Sequence, residues 1–565
     1  MKSFRLLLAF GLLAILIAGA WLWVALPSTV DMADYAPADS LVYVEFANPS
    51  AVAQAIQNAD VWKAAAPITQ SKTISHSGFI TTAARAGIGP LEAVLFARAQ
   101  IALVVVGMNT SEEADTLKVR PEIALIAETH TSKWRTRPAA VEVVKKLANL
   151  AYGASMCSER GGDADYIECS VAGGDRKIVG AVDGTLVVIG NSDNAVRSCL
   201  EARRGSRPSI RTDNELLKVR ANLTSDKTLG FGYISPANSA KLFSWAAPLL
   251  MGQAPGDEQL QQLLAVSAGK ILRGVAWTAS ESKGGIEDRF LFSLEPGVVS
   301  RLQPAFETAE RDENFWKLVP ESFHSMTIYR NKTPAEAWGS LNSAVALKLD
   351  ALPAVLFGTL LRSSLSVYGI SNPKEVLATL SPPLLTLKPS QGAEGSILVA
   401  RVSDEAKLRQ SLAQEIFNGS RGEILDGLGS NPNPEKEFAA VFADGYVLLG
   451  KSENMRSSLL ALRNSQAGAD DKKDLKESAQ GSSAPIVTYA NDEARLNNFI
   501  LTLLTLQGRK LSADEVANLQ NTFGRSGFSS TETRLNSFGI ERTTRSAFGQ
   551  FGTFVSLLQP DGAGR

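Results

Sequence analysis

Asp183-Gly184-Thr185-Leu186-Val187-Val188-Ile189-Gly190-Asn191-Ser192-Asp193-Asn194 is the stretch from which the fold is read. It comes back as Asp444-Gly445-Tyr446-Val447-Leu448-Leu449-Gly450-Lys451-Ser452-Glu453-Asn454. In each copy Asp-Gly is the signature of a two-residue hairpin turn of type I′. An apolar, β-rich run then forms a strand, a glycine closes it, and a polar residue caps the helix that follows. Strands joined by such short turns are antiparallel neighbours.

Working outward, other landmarks recur in the same order. A strand is expected at 41–46, and Pro49 opens a helix with Val52, Ile56, Ala59 and Trp62 along one side. From Pro320 the order repeats, with a strand at 326–329 and a helix opened by Pro334. Ile397-Leu398-Val399-Ala400 echoes Ala124-Leu125-Ile126-Ala127, and Ile486-Val487-Thr488-Tyr489 echoes Phe231-Gly232-Tyr233-Ile234. Gly539-Ile540-Glu541 echoes Gly285-Ile286-Glu287. A chain of 565 residues is too long for a single core. The repeat length is that of a duplicated domain, not of a solenoid. The fold class expected is α+β: an N-terminal transmembrane helix, then two related halves at 35–310 and 311–565. Each half is expected to be a mainly antiparallel sheet with packed helices. Asp183 should match Asp444, Tyr233 should match Tyr489, and Leu200 and Leu460 should both be buried against their own sheets. Residues 467–484 are polar and read as a loop.

Residues 1–34 read as a cytoplasmic tip, a transmembrane signal-anchor and a short linker. Residues 6–24 are apolar and uncharged, about the length a membrane-crossing helix needs. Trp21 and Trp23 suit the interface. Lys2 and Arg5 before the run, with Asp31, Asp34 and Asp39 after it, place the N-terminus inside and the body outside. The localisation expected is the inner membrane, single-pass, with a periplasmic body. A cleaved signal peptide, with Ala18-Gly19-Ala20 as its small-residue site, is the alternative. Residues 351–361 are apolar but too short to span and suit a buried helix.

The formal net charge is −1 and no basic stripe is present, which argues against nucleic acid as a partner. Gly445 to Ser452 fits the P-loop expression, with Lys451 as its lysine. Its intervening Tyr446, Val447, Leu448 and Leu449 are strand residues, and the sister copy has no lysine. Cys157 and Cys169 are placed for a local disulfide in an exported protein, whereas Cys199 reads as a buried thiol. His76, His130 and His324 have no metal-ligand spacing, and no nucleophile elbow occurs. Glu287 and Glu541 recur between the halves at strand starts, and Trp62, Trp245 and Trp316 read as core. No catalytic, cofactor-binding or metal-binding residue is assigned, and no cofactor is expected.

The opening Pro37-Ala38-Asp39-Ser40-Leu41-Val42-Tyr43, a Gly-Ile-x-Pro helix and the Leu-Val-Val-Ile-Gly strand with its helix together resemble a bacterial domain-of-unknown-function family of membrane-anchored envelope proteins. The second half departs from that pattern at Pro320-Glu321-Ser322-Phe323. The resemblance implies an envelope location and transfers no activity and no site residues. The role expected is therefore a non-enzymatic binding protein or envelope scaffold, acting through its surfaces or a groove between its halves. An exported hydrolase with a dispersed site and a carrier of a lipid or apolar ligand are the alternatives. The partners expected are the membrane, through the N-terminal helix, and an envelope protein or apolar ligand.

Overall fold

A computed structural model describes residues 29–46, 49–69, 89, 95–96, 98–113, 116–153, 156–171, 176–236, 238–239, 242, 266–267, 269–310, 312, 314–320, 323–415, 421–465, 477, 479–506, 512–526 and 528–556. The first half supplies β1 (Val42–Phe46), β2 (Gln100–Glu113), β3 (Thr116–Glu128), β4 (Met156–Arg160), β5 (Asp165–Ser170), β6 (Lys177–Asp183), β7 (Leu186–Gly190), β8 (Thr228–Ile234), β9 (Leu272–Ser282) and β10 (Gly285–Leu294). The second supplies β11 (Ser325–Tyr329), β12 (Leu380–Lys388), β13 (Ile397–Val402), β14 (Gly422–Asp426), β15 (Phe438–Ala443), β16 (Tyr446–Lys451), β17 (Ile486–Asn491), β18 (Phe528–Asn536) and β19 (Gly539–Ser546).

Taken by hydrogen-bonded neighbours, the first half runs β4-β5-β6-β7-β3-β2-β1-β8-β9-β10. The second runs β14-β15-β16-β13-β12-β11-β17-β18-β19. With β4 set aside, the two orders are the same. Every pairing is antiparallel except β14 with β15. Tyr233 faces Tyr43 on β1, and Tyr489 faces Met326 on the corresponding β11.

The sheets were expected to be separate, and they are not. β10 pairs with β19, which joins the 19 strands of the described residues in one sheet. Ile286 lies opposite Ser546, Phe292 opposite Ile540 and Arg289 opposite Thr543. Counted from the shared Gly-Ile-Glu triplet, Arg289 and Thr543 hold the same place in their strands. A pseudo-two-fold axis therefore passes between them, and the contact is the self-complementary kind that closes a dimer. The glycines of the triplet are needed for it. A Cβ on Gly285 would collide with the carbonyl oxygen of Ser546, and one on Gly539 with that of Phe292. Ser546 and Phe292 are themselves equivalent positions.

Helices cover both faces of the sheet. α1 (Pro49–Asn58) and α2 (Asp60–Thr69) follow β1, and α3 (Lys133–Tyr152) follows β3. α4 (Asp193–Arg203) and α5 (Asn214–Leu223) follow β7, and α6 (Pro296–Leu302) follows β10. The second half has α7 (Pro334–Ala346), α8 (Ala351–Ser366), α9 (Pro373–Leu377), α10 (Glu405–Glu415), α11 (Ser452–Ser465), α12 (Glu493–Leu506), α13 (Ala513–Ser526) and α14 (Gly549–Ser556). Ser192 caps α4 by accepting the Ala195 N–H at 3.1 Å. Two cores are shared between halves. One joins Ala55, Ile56 and Trp62 to Phe499, Phe523 and Phe548, and the other joins Leu294 and Val298 to Ala344, Leu535 and Ile540.

Four expectations need correction. No helix among the described residues is long and apolar enough to cross a membrane, so the fold class stands without its transmembrane helix; residues 6–24 lie outside the described residues. The two Asp-Gly turns are one residue out of step. Asp183 pairs with Leu186, which leaves Gly184 and Thr185 at the centre with only Gly184 at positive φ, the type II′ pattern. Ala443 pairs with Tyr446, which leaves Asp444 and Gly445, both at positive φ as type I′ requires. Leu200 is buried, but Leu460 is 57% exposed. In the first half Met32, Ala33 and Tyr35 lie over α4 and enclose Leu200, whereas α11 buries Met455, Leu459 and Leu462 instead. α8, read as a buried helix, leaves Val355 62% exposed.

The central pairing can be tested. Gly539→Val and Gly285→Val should each lower the unfolding free energy by about 3 kcal/mol or more, because each puts a side chain where the neighbouring backbone stands. Gly392→Ala, whose Cβ meets nothing within 4 Å, should stay within about 0.5 kcal/mol of the parent. Denaturant titration of the three variants measures this, and equal stabilities would refute the close approach.

Candidate functional site: a polar cleft between the halves

At one end of the β10–β19 pair the two halves leave a cleft of about 330 Å³. The first half contributes Asp60 and Val61 from the start of α2 and the turn from Ser282 to Gly285. The second contributes Asp492 and Leu496 around the start of α12, Phe528 and Ser530 of β18, and Arg545, Ser546 and Ala547 at the end of β19.

Local structure explains each position. The turn between β9 and β10 needs a left-handed residue, which Gly284 supplies at φ +81°. Its carbonyl accepts the Asp60 N–H at 3.0 Å, so the turn is tied to α2. Asp60 also meets Lys63 at 3.2 Å. Asp492 accepts from the Arg495 guanidinium at 3.0 Å. Burial pushes the Asp492 carboxyl up, against the pull of the Arg495 charge. His324 lies close enough to favour its ionised form. Arg545 donates to Glu287 at 2.9 Å, and the Ser546 hydroxyl accepts the Gly549 N–H at 3.1 Å. Val61, Leu496 and Phe528 give the cleft an apolar side. The site therefore presents charges of both signs beside a small apolar wall.

Behind the cleft lies a buried carboxylate. Asp288 of β10 is fully buried and accepts from Trp277 Nε1 at 2.9 Å and from the Gln550 N–H at 3.0 Å. It thereby sits at the start of α14, where the helix dipole favours a negative charge. Burial nonetheless dominates and pushes its carboxyl up to about 6.

The residues singled out by sequence do not meet here. Lys451 ends β16, whose backbone groups are engaged with β13 and β15, and its Nζ pairs with Glu394 at 2.7 Å. A phosphate cradle would need those N–H groups free in a loop. Cys157 and Cys169 are bonded across β4 and β5, and Cys199 is buried with its thiol pushed up to about 12 by burial. His130, at φ 52°, holds Gln100 through Nε2 at 2.9 Å in the first half, far in sequence from His324 in the second. Glu287 and Glu541 form ion pairs across the joint: Glu541 accepts from Arg289 at 2.7 Å as Glu287 does from Arg545. Trp62 and Trp316 are core residues. His76, Trp245 and most of 467–484 lie outside the described residues. Sequence reasoning missed Lys283, Asp492 and Asp288. The signal for the first was the Lys-Gly-Gly turn; Asp288 looks like an ordinary strand residue and Asp492 like an ordinary helix-start residue until the joint is assembled.

A second charged cluster holds the first half's own core. The Tyr43 hydroxyl donates to Glu45 at 2.6 Å, and Arg220 bonds both Glu45 and, at 2.7 Å, Asp31. Burial raises the Glu45 carboxyl while the Arg220 charge opposes it. This network pins the segment Met32–Tyr35 and α5 to β1.

Compared with protein-family models, with curated proteins and with solved structures, the chain matches none.

The Asp288 site sets a pH dependence. Its carboxyl holds its proton more tightly in the fold, at about 6, than in an unfolded chain, at about 4. The protonated form therefore favours folding below the unfolded value, and that contribution is lost as pH rises through about 6. The gap corresponds to about 3 kcal/mol. The stability of the parent relative to Asp288→Asn should accordingly fall by up to about 3 kcal/mol between pH 4 and pH 8. A difference that stays flat over this range, measured by denaturant titration, would contradict a raised Asp288.

Proposed function

We propose that the protein is an extracytoplasmic, non-enzymatic binding protein or scaffold of the bacterial envelope that takes its partner in the cleft between its halves. The observation that carries this reading is the cleft itself. Charged and apolar groups converge on it from both halves, and clefts between domains are preferred ligand sites. The envelope location draws support from the Cys157–Cys169 bond. It ties down β4, an outermost strand with all five residues exposed, where a reducing compartment would open the bond. The resemblance to membrane-anchored envelope proteins agrees with it.

Two carboxylates at the cleft are engaged in ion pairs, which suits a binding role. Asp492 is held by Arg495, and Glu287 beside the cleft by Arg545. Charged walls also disfavour an apolar cargo.

Two experiments test the reading. Alkaline phosphatase fused after residue 60 should be active; an inactive phosphatase, with a cytoplasmic reporter active at the same point, would end the extracytoplasmic assignment. A photo-cross-linking amino acid at Lys283 should capture an envelope component in intact cells, whereas the same group at the distant, exposed Val355 should not. No adduct at position 283 would remove the cleft as the binding place.

A further inference from the structure

We propose that the cleft takes a zwitterionic ligand of amino-acid to dipeptide size, its ammonium at Asp492 and its carboxylate at Lys283. This rests on the reading of the cleft as the binding place and adds what is bound there. The two charges come from opposite halves. Lys283 is exposed at the tip of its turn and has no ion-pair partner among the described residues. Its backbone is fixed by the bond from Asp60 to Gly284.

Asp492 is the counterpart. Its side chain is only 12% exposed; Arg495 reaches one of its oxygens, the Ser529 hydroxyl also bonds it, and His324 lies near. A carboxylate withdrawn this far from water is raised by burial even with that guanidinium present. A second cation at Asp492 would offset the remaining desolvation. A ligand ammonium supplies that cation. The Ser530 hydroxyl lies in the same lining and can bond the ligand backbone. Phe528 and Leu496 form an apolar wall for a ligand side chain.

Size narrows the class further. A cleft of about 330 Å³ lies at the small end of ligand sites, which run from roughly 300 to 1,000 Å³. A polyanion or polycation is disfavoured on charge, since the lining carries both signs. A neutral apolar ligand would desolvate Asp492 without pairing it.

The test is calorimetric titration of the full chain with L-alanyl-L-phenylalanine, with its N-acetyl derivative and with its C-terminal amide. The free dipeptide should bind, and each blocked form should bind about tenfold more weakly or worse. Asp492→Asn should abolish the preference for a free ammonium and keep the preference for a free carboxylate. Lys283→Ala, a change at an exposed turn position, should do the reverse. Equal binding of all three compounds overturns the proposal. No binding of the dipeptide, with a cross-linked envelope component at position 283, overturns the ligand class and leaves the cleft as the binding place. No binding and no cross-link overturns both.

Discussion

The antiparallel pairing of β10 with β19 is the constraint on which the rest of this molecule depends. Each half ends its sheet on an edge strand, and an open edge is a template for association. Here the two edges satisfy each other. The backbone groups of both strands are paired through the centre, from Ile286 against Ser546 to Ser293 against Gly539. Because the strands are equivalent, the contact is self-complementary. It has the form of a homodimer interface closed within one chain. The cross-strand pairs Arg289–Glu541 and Arg545–Glu287 lie along the same joint. Charged pairs across neighbouring strands add specificity more than energy, since partly exposed pairs are worth about 1 kcal/mol or less. They fix the register that a one-residue slip would destroy.

That register decides where the helices go. Ile286 and Phe290 point to the face where Trp62, Phe499 and Phe548 pack, so α2 of the first half and α12 and α14 of the second share one core. Phe499 and Phe548 stack with ring centres 4.2 Å apart, and Trp62 meets Phe548 edge-on. A core built from both halves cannot form until both are folded. Asp288 lies in this same region, held by Trp277 and the start of α14. Its raised carboxyl follows from the geometry: the joint excludes water from a group that two donors only partly satisfy.

The repeat was legible in the sequence because its landmarks are those a strand and a turn demand of any chain: Asp-Gly at the hairpins, glycine after an apolar run, proline at the start of a helix. The joint was not legible. Gly285-Ile286-Glu287 and Gly539-Ile540-Glu541 read as repeated turns, and nothing local says that one triplet's strand will lie against the other's. Edge pairing is a tertiary fact, set by backbone groups that every residue carries. The same limit explains Leu460. Its helix pattern matches that of Leu200, but burial depends on whether a third element lies over the helix, and Met32–Tyr35 does so only in the first half. Asp492 and Lys283, at the start of α12 and in the turn before β10, become a site only through the joint.

The pseudo-symmetry of the joint is broken at its two ends. The pseudo-two-fold axis relates Arg545 to Leu291, Ser546 to Phe292 and Gly284 to Phe538. At the mirror-related end, then, Leu291 is buried in the first half's core and Phe538 packs against it. The Phe538 carbonyl accepts the Leu294 N–H at 2.8 Å, which closes the strands where the other end stays apart. Apolar side chains at these positions fill space by excluding water. Arginine, serine and glycine at the related positions line the open cleft. The backbone symmetry was thus retained, because the joint requires it on both sides, while the side chains at the two ends diverged. One end became core. The other carries charged groups of both halves at the surface of the joint.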